Sequence, residues 1–129
     1  MGTQVMIWTI EIEDTETRSR VGIWEYEREL QPIRTRISMH AIAAAFPQKI
    51  QDCLNYEPVC RWISNEWLKK PHTLLLETRL RKLMDFVFNF DARIEWVNVA
   101  ILKLKAILQA SGVGVRVAMS RSNDESSFP

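Results

Sequence analysis

His40, Cys53, Cys60 and His72 are the chain's only imidazole and thiol groups. Four such ligands would complete a tetrahedral zinc site. None of them, however, has the C-x2-4-C or H-x3-5-H spacing that lets one turn supply two ligands, so neither a metal nor a cofactor is implied. Cys53 follows Ile50 and precedes Leu54 on an apolar helical stripe, where a free thiol packs as a small hydrophobe. A nucleophile built from Cys53 or Cys60, with His40 or His72 as base and Asp52 or Asn55 to orient it, uses only residue types that any chain of this size contains. G-x-S-x-G, H-E-x-x-H and C-x-x-C are all missing, and SGVGV lacks a phosphate-loop lysine and runs into a strand. Glu11, Glu13 and Asp14 read as the wet face of a strand, where acids protect an edge. No catalytic residue is assigned, and the sequence alone predicts a protein that is not an enzyme.

Two binding chemistries are better motivated. Arg34 and Arg36 project together from a predicted strand, and Arg79, Arg81, Lys82, Arg93, Lys103 and Lys105 add basic positions on predicted helices. Such a stripe would neutralise phosphates. Glu77, Asp85 and Glu95 interrupt it, which makes nucleic-acid binding the alternative reading. The leading one is a small non-enzymatic interaction protein, a regulatory or accessory factor binding another protein or itself. Its anchors would be aromatic: Trp8, Trp24, Tyr26, Trp62 and Trp67. Five tryptophans in 129 residues is a surplus, since about two would be ordinary. Trp62 and Trp67 lie about 140° apart on a helix, so both cannot point at the centre of one core.

The totals suit one compact domain over 1–120 with a polar, disordered tail at 121–129. The chain is 47% hydrophobic and 26% charged, with net charge +1. That charge is divided unevenly. Residues 1–30 hold seven acids against three arginines, a net of −4, which leaves +5 for the rest. With two cysteines, no signal-peptide pattern and no apolar run near the length of a membrane span, the expected location is the cytoplasm or nucleus, neither secreted nor transmembrane.

The elements that position these groups follow from periodicity. Residues 4–13 alternate, with Met6, Trp8, Ile10 and Ile12 on one face. DTETRSR reads as a turn, and VGIWEYEREL as the returning arm of a hairpin that places Trp8 opposite Trp24 and Met6 opposite Tyr26. IRTRISM is a third strand, with Ile33, Ile37 and Met39 inward. HAIAAAF and QKIQDCLNY read as helical. Pro58 opens a helix carrying Val59, Ile63 and Trp67, which Pro71 ends, and a second runs through Leu76, Leu80, Leu83 and Val87. Asp91 is taken as an N-cap for a helix bearing Ile94, Val97, Ile101, Leu104 and Leu108, closed by Gly112. GVGVRVAMS alternates as a final strand. The sum is an α+β fold: an N-terminal hairpin and third strand, antiparallel, with central and C-terminal helices on one sheet face and a last strand returning.

Overall fold

The computed structural model describes residues 5–43 and 45–121; residues 1–4, Ala44 and the expected tail at 122–129 lie outside the described residues. The fold is α+β, a four-stranded antiparallel sheet in the order β1-β2-β3-β4 with two helices packed on it. The strands are β1 (Met6–Ser19), β2 (Gln31–Ala43), β3 (Ile94–Lys103) and β4 (Val113–Ser120), and the helices are α1 (Glu57–Lys69) and α2 (Leu76–Phe90). Short 3-10 turns occupy Glu25–Arg28 and Ile50–Asp52.

The two helices form where the apolar stripe and the prolines place them. In α1 the stripe is Val59, Ile63 and Trp67, all buried. Pro58 sits in the first turn, where a missing N–H costs nothing, and Pro71 disfavours helix at Lys70. Leu76, Leu80, Leu83, Met84 and Val87 are the buried side of α2. Both pack on the sheet face that carries Ile33, Ile37 and Met39 from β2 and Val97, Val99 and Ile101 from β3. Cross-strand registry sets Ile37 beside Val99 and Val99 beside Val117, as one inward row.

Three expectations fail for physical reasons. First, β1 does not turn at DTETRSR. It runs through it to Ser19 and pairs with β2, Trp8 facing Ala41 and Thr17 facing Ile33. A bulge between Ile12 and Thr15, with Asp14 at φ 52°, absorbs one residue and bends the long strand. Residues 21–30 are consequently a loop with a 3-10 turn, and Trp24 never faces Trp8. Second, residues 94–103 are a central strand. The 3-4-3-4 spacing that suggests a helix coexists with alternation at Val97, Val99 and Ile101, and β-branched side chains favour the pleat. Asp91 is accordingly the C-cap residue of α2 and Gly112 sits in the β3–β4 connection. Third, HAIAAAF continues β2 as far as Ala43, and of QKIQDCLNY only Ile50–Asp52 is helical, as a 3-10 turn. Cys53 is exposed, with no stripe to bury it.

Candidate active site

Glu27 sits in the 3-10 turn between β1 and β2, and Lys103 is the last residue of β3, on the helix-facing side. Seventy-six residues separate them, yet Lys103 Nζ donates to Glu27 Oε2 at 2.7 Å. The carboxylate has no solvent exposure, whereas the lysine side chain keeps 17% of its own. Gln31 Nε2 donates to the same oxygen at 3.2 Å and to the Val21 carbonyl at 2.6 Å, and the Trp24 N–H donates to Oε1 at 3.2 Å. Burial alone would raise the Glu27 carboxyl. The bonds from Lys103, Gln31 and Trp24 outweigh it and hold the group below the usual carboxylate range. A buried carboxylate and ammonium, each stripped of water on at least one side, form the most chemically loaded pair among the described residues.

The floor of this seat is Gly22, at φ 134°. A Cβ there would fall inside the Glu27 carboxylate, so only glycine allows the acid to lie against the backbone. The segment is stitched to the loop between the helices. Val21 bridges Thr73 in parallel, Gly22 N–H donates to Thr73 O at 2.9 Å, and Thr73 N–H donates to Arg20 O at 2.9 Å. His72 Nε2 donates to Gly22 O at 2.7 Å.

The basic residues proposed for nucleic acid do not converge. Arg34 pairs with Glu16 and Arg36 with Asp14, each at 2.7 Å, on the sheet's bare face. Arg81 pairs with Asp85 at 3.2 Å. Arg93 binds Asp91 at 2.8 Å and the Asp52 and Cys53 carbonyls. Arg79 is buried in the core side of α2, and Lys82 and Lys105 are exposed. Of the aromatic anchors, Trp67 is buried and Trp62 half-buried, stacked on Phe86 at 5.2 Å. Trp8 lies on the inner face with its ring edge on Phe46, while Trp24 and Tyr26 are each 60% exposed beside Glu27. His40 and His72 stand apart, on the bare sheet face and in the α1–α2 loop, and no three metal-ligating side chains cluster among the described residues.

A polar hollow of about 400 Å³ on the bare face is lined by His40, Asn98, Arg36 and Arg116 among others. With Glu11 and Glu13 at its rim and Asp14 already on Arg36, it carries no excess positive charge and no buried ionised group. The Glu27–Lys103 pair is the stronger candidate. Reading residue types missed Glu27 because it stood among seven acids, and it counted Lys103 only as a surface cation. Signals did exist in the sequence: a glycine five residues before the acid, and a lysine ending a β-branched run.

The fold is similar to that of solved dihydroneopterin aldolases. A FolB protein of Vibrio cholerae, described as such an aldolase, superposes with TM-score 0.74 at 22% identity, covering 88% of this chain and 97% of its own. The Escherichia coli enzyme in complex with neopterin gives 0.73 at 18%, covering 87% and 98%. The Burkholderia thailandensis enzyme bound to guanine gives 0.69 at 13%, covering 90% and 93%. At these identities the likeness is one of fold. No curated protein sequence matches the chain significantly. The model of an enzyme family, FolB, described as dihydroneopterin aldolase, matches residues 10–118. That match overturns the expectation of a non-enzymatic regulatory factor, and with it the nucleic-acid alternative. Spanning most of the sheet and both helices, it shows that this chain belongs to the dihydroneopterin aldolase family.

Proposed function

We propose that the chain cleaves a carbon–carbon bond in the hydroxylated side chain of a dihydropterin, with Lys103 and Glu27 as the working pair. The observation that carries this reading is the buried 2.7 Å contact between them, in a chain whose family is named for such a cleavage. A retro-aldol step removes a proton from a carbinol oxygen, breaks the adjacent C–C bond, and leaves its electron pair on the carbon next to the ring imine. That carbon then takes up a proton. One proton therefore moves from oxygen to carbon, and a single group that alternately accepts and donates it suffices. Lys103 is the member of the pair that meets solvent, so it is the group that touches substrate. Glu27, ionised and sealed from water, holds the Lys103 nitrogen in place and balances the charge it gains when, entering as the neutral amine, it takes up the proton.

The test is turnover of dihydroneopterin by the purified protein and by Lys103→Met. Loss of about 10²- to 10⁴-fold in kcat is expected, the range for a positioned acid–base group. A folded wild-type protein with no turnover, or a variant as active as wild type, would remove the reading.

Self-association belongs to the same proposal. Among the described residues the outer edges of β1 and β4 have no strand partner, and such edges recruit another strand. Ile23, Trp24 and Tyr26 lie exposed beside Glu27, where a second copy would cover them and wall the site. A strictly monomeric mass by light scattering at high concentration would refute this. Among the described residues no helix is long and apolar enough to cross a membrane, and two free thiols fit a reducing cytoplasm.

A further inference from the structure

We infer that Arg79 is a positioning residue, which holds the segment 20–22 where it seats the Glu27 carboxylate. This rests on the reading of Glu27 and Lys103 as the working pair. Arg79 lies on the buried face of α2, between Leu76, Leu80 and Leu83, and is 2% exposed. Its guanidinium meets no carboxylate among the described residues, and its Nε finds no acceptor there. Removing a cation from water without a counter-charge is costly, and a leucine would continue the helix stripe. Packing alone therefore gives no reason for an arginine here.

What the side chain does hold is backbone. One terminal nitrogen, Nη2, donates to Pro71 O at 2.7 Å and to Arg20 O at 3.3 Å. It thus joins the loop between the helices to the end of β1. Arg20 O also accepts the Thr73 N–H, and Arg20 reaches back to Leu68 O at 3.3 Å. Two residues on, Gly22 is tied by Thr73 and His72 and lies directly beneath the carboxylate. The path from guanidinium to working pair is therefore two residues of strapped chain, with Arg79 clamping one end and His72 the other.

The experiment compares Arg79→Met, Arg79→Lys, His72→Ala and the Arg79→Met/His72→Ala double variant in dihydroneopterin turnover, well below each melting temperature. Arg79→Met should fold as stably as wild type, because an apolar side chain replaces an unpaired buried charge. Its kcat should fall about tenfold with KM within about twofold, the pattern of an interaction felt in the transition state and not in binding. Arg79→Lys should recover part of the loss. The double variant should lose less than the product of the single losses, since both residues hold one strap. Independently of turnover, amide exchange at Gly22 and Thr73 should quicken at least tenfold in Arg79→Met. A folded Arg79→Met with wild-type kcat and unchanged exchange would overturn the inference. So would a kcat loss that tracks melting temperature across the variants, because that marks a merely structural role. Lys103→Met and Glu27→Gln run beside them separate the two failures. If those variants lose turnover and Arg79→Met does not, the strap alone is wrong. If they keep it, the site itself is misread.

Discussion

Replacing Gly22 with alanine tests the seat of Glu27 directly. The residue has φ 134°, where an L side chain is strained, at a cost of about 1–3 kcal/mol. The added methyl also needs the space that the Glu27 carboxylate fills. Either the strap moves or the acid leaves, and in both cases bonds to Lys103, Gln31 and Trp24 are broken. Losing one charge-assisted bond costs about 1.5–3 kcal/mol, so the total destabilisation is about 2.5–6 kcal/mol. Urea unfolding followed by circular dichroism measures it, and turnover should fall with it. The decisive comparison repeats the substitution in a Glu27→Ala background. There the methyl has room, and only the backbone strain of about 1–3 kcal/mol should remain. An equal cost in both backgrounds would show that the glycine is not there to admit the acid, and the geometric argument for the site would lose its floor.

Lys103→Met leaves Glu27 buried without its counter-charge and should destabilise by about 3–5 kcal/mol near neutrality. The deficit should shrink on acidification as Glu27 takes up a proton, and urea midpoints across pH 4–7 would show it. In the wild type the carboxyl is held low, so its contribution is present above the ordinary carboxylate pKa of about 4.3 and disappears as pH falls through the folded value. Glu27→Gln should flatten that acid limb. His40, half-buried between Thr9 and Asn98, has its pKa lowered by burial, partly opposed by Glu11. Its neutral form is the folded form, so stability should be full above about pH 6.5 and decline below it. A His40→Gln variant with the same midpoint shift between pH 7.5 and 5.5 would contradict this.

Much of the fold is written in local patterns. The prolines at 58 and 71 and the stripe from Leu76 to Val87 bound α1 and α2 because helix punctuation acts within one turn. Ile33, Ile37 and Met39, and the alternation from Val113, mark β2 and β4 for the same local reason. What misleads is any segment whose pattern fits two periods. Residues 94–108 satisfy a helix stripe, yet Val97, Val99 and Ile101 also alternate, and the need for a strand between β2 and β4 decides. In VGIWEYERE the acids alternate as a strand's wet face would. One of them, Glu27, is instead captured by a lysine from the far end of the chain, with a positive φ at Gly22 to make room. Neither event leaves a periodic trace.

The distribution of buried polarity carries the same conclusion further. Among the described residues few buried ones are polar or charged: Ser19, Glu27, Thr35, Arg79 and Ser120. Of these, Ser19 precedes the strap, Glu27 is seated on it, and Arg79 clamps it. Away from the strap only Thr35 and Ser120 are buried polar side chains among the described residues, and the rest of the core is aliphatic and aromatic. Each departure near residues 19–31 opposes stability locally: a strained glycine, an unpaired guanidinium, an acid without water. Chains keep such conflicts where another requirement outweighs them. Here they all act on one carboxylate–ammonium pair, and it is that convergence, more than any single pKa or distance, that supports the proposed site at the end of β3 over the arginine-bearing face of the sheet.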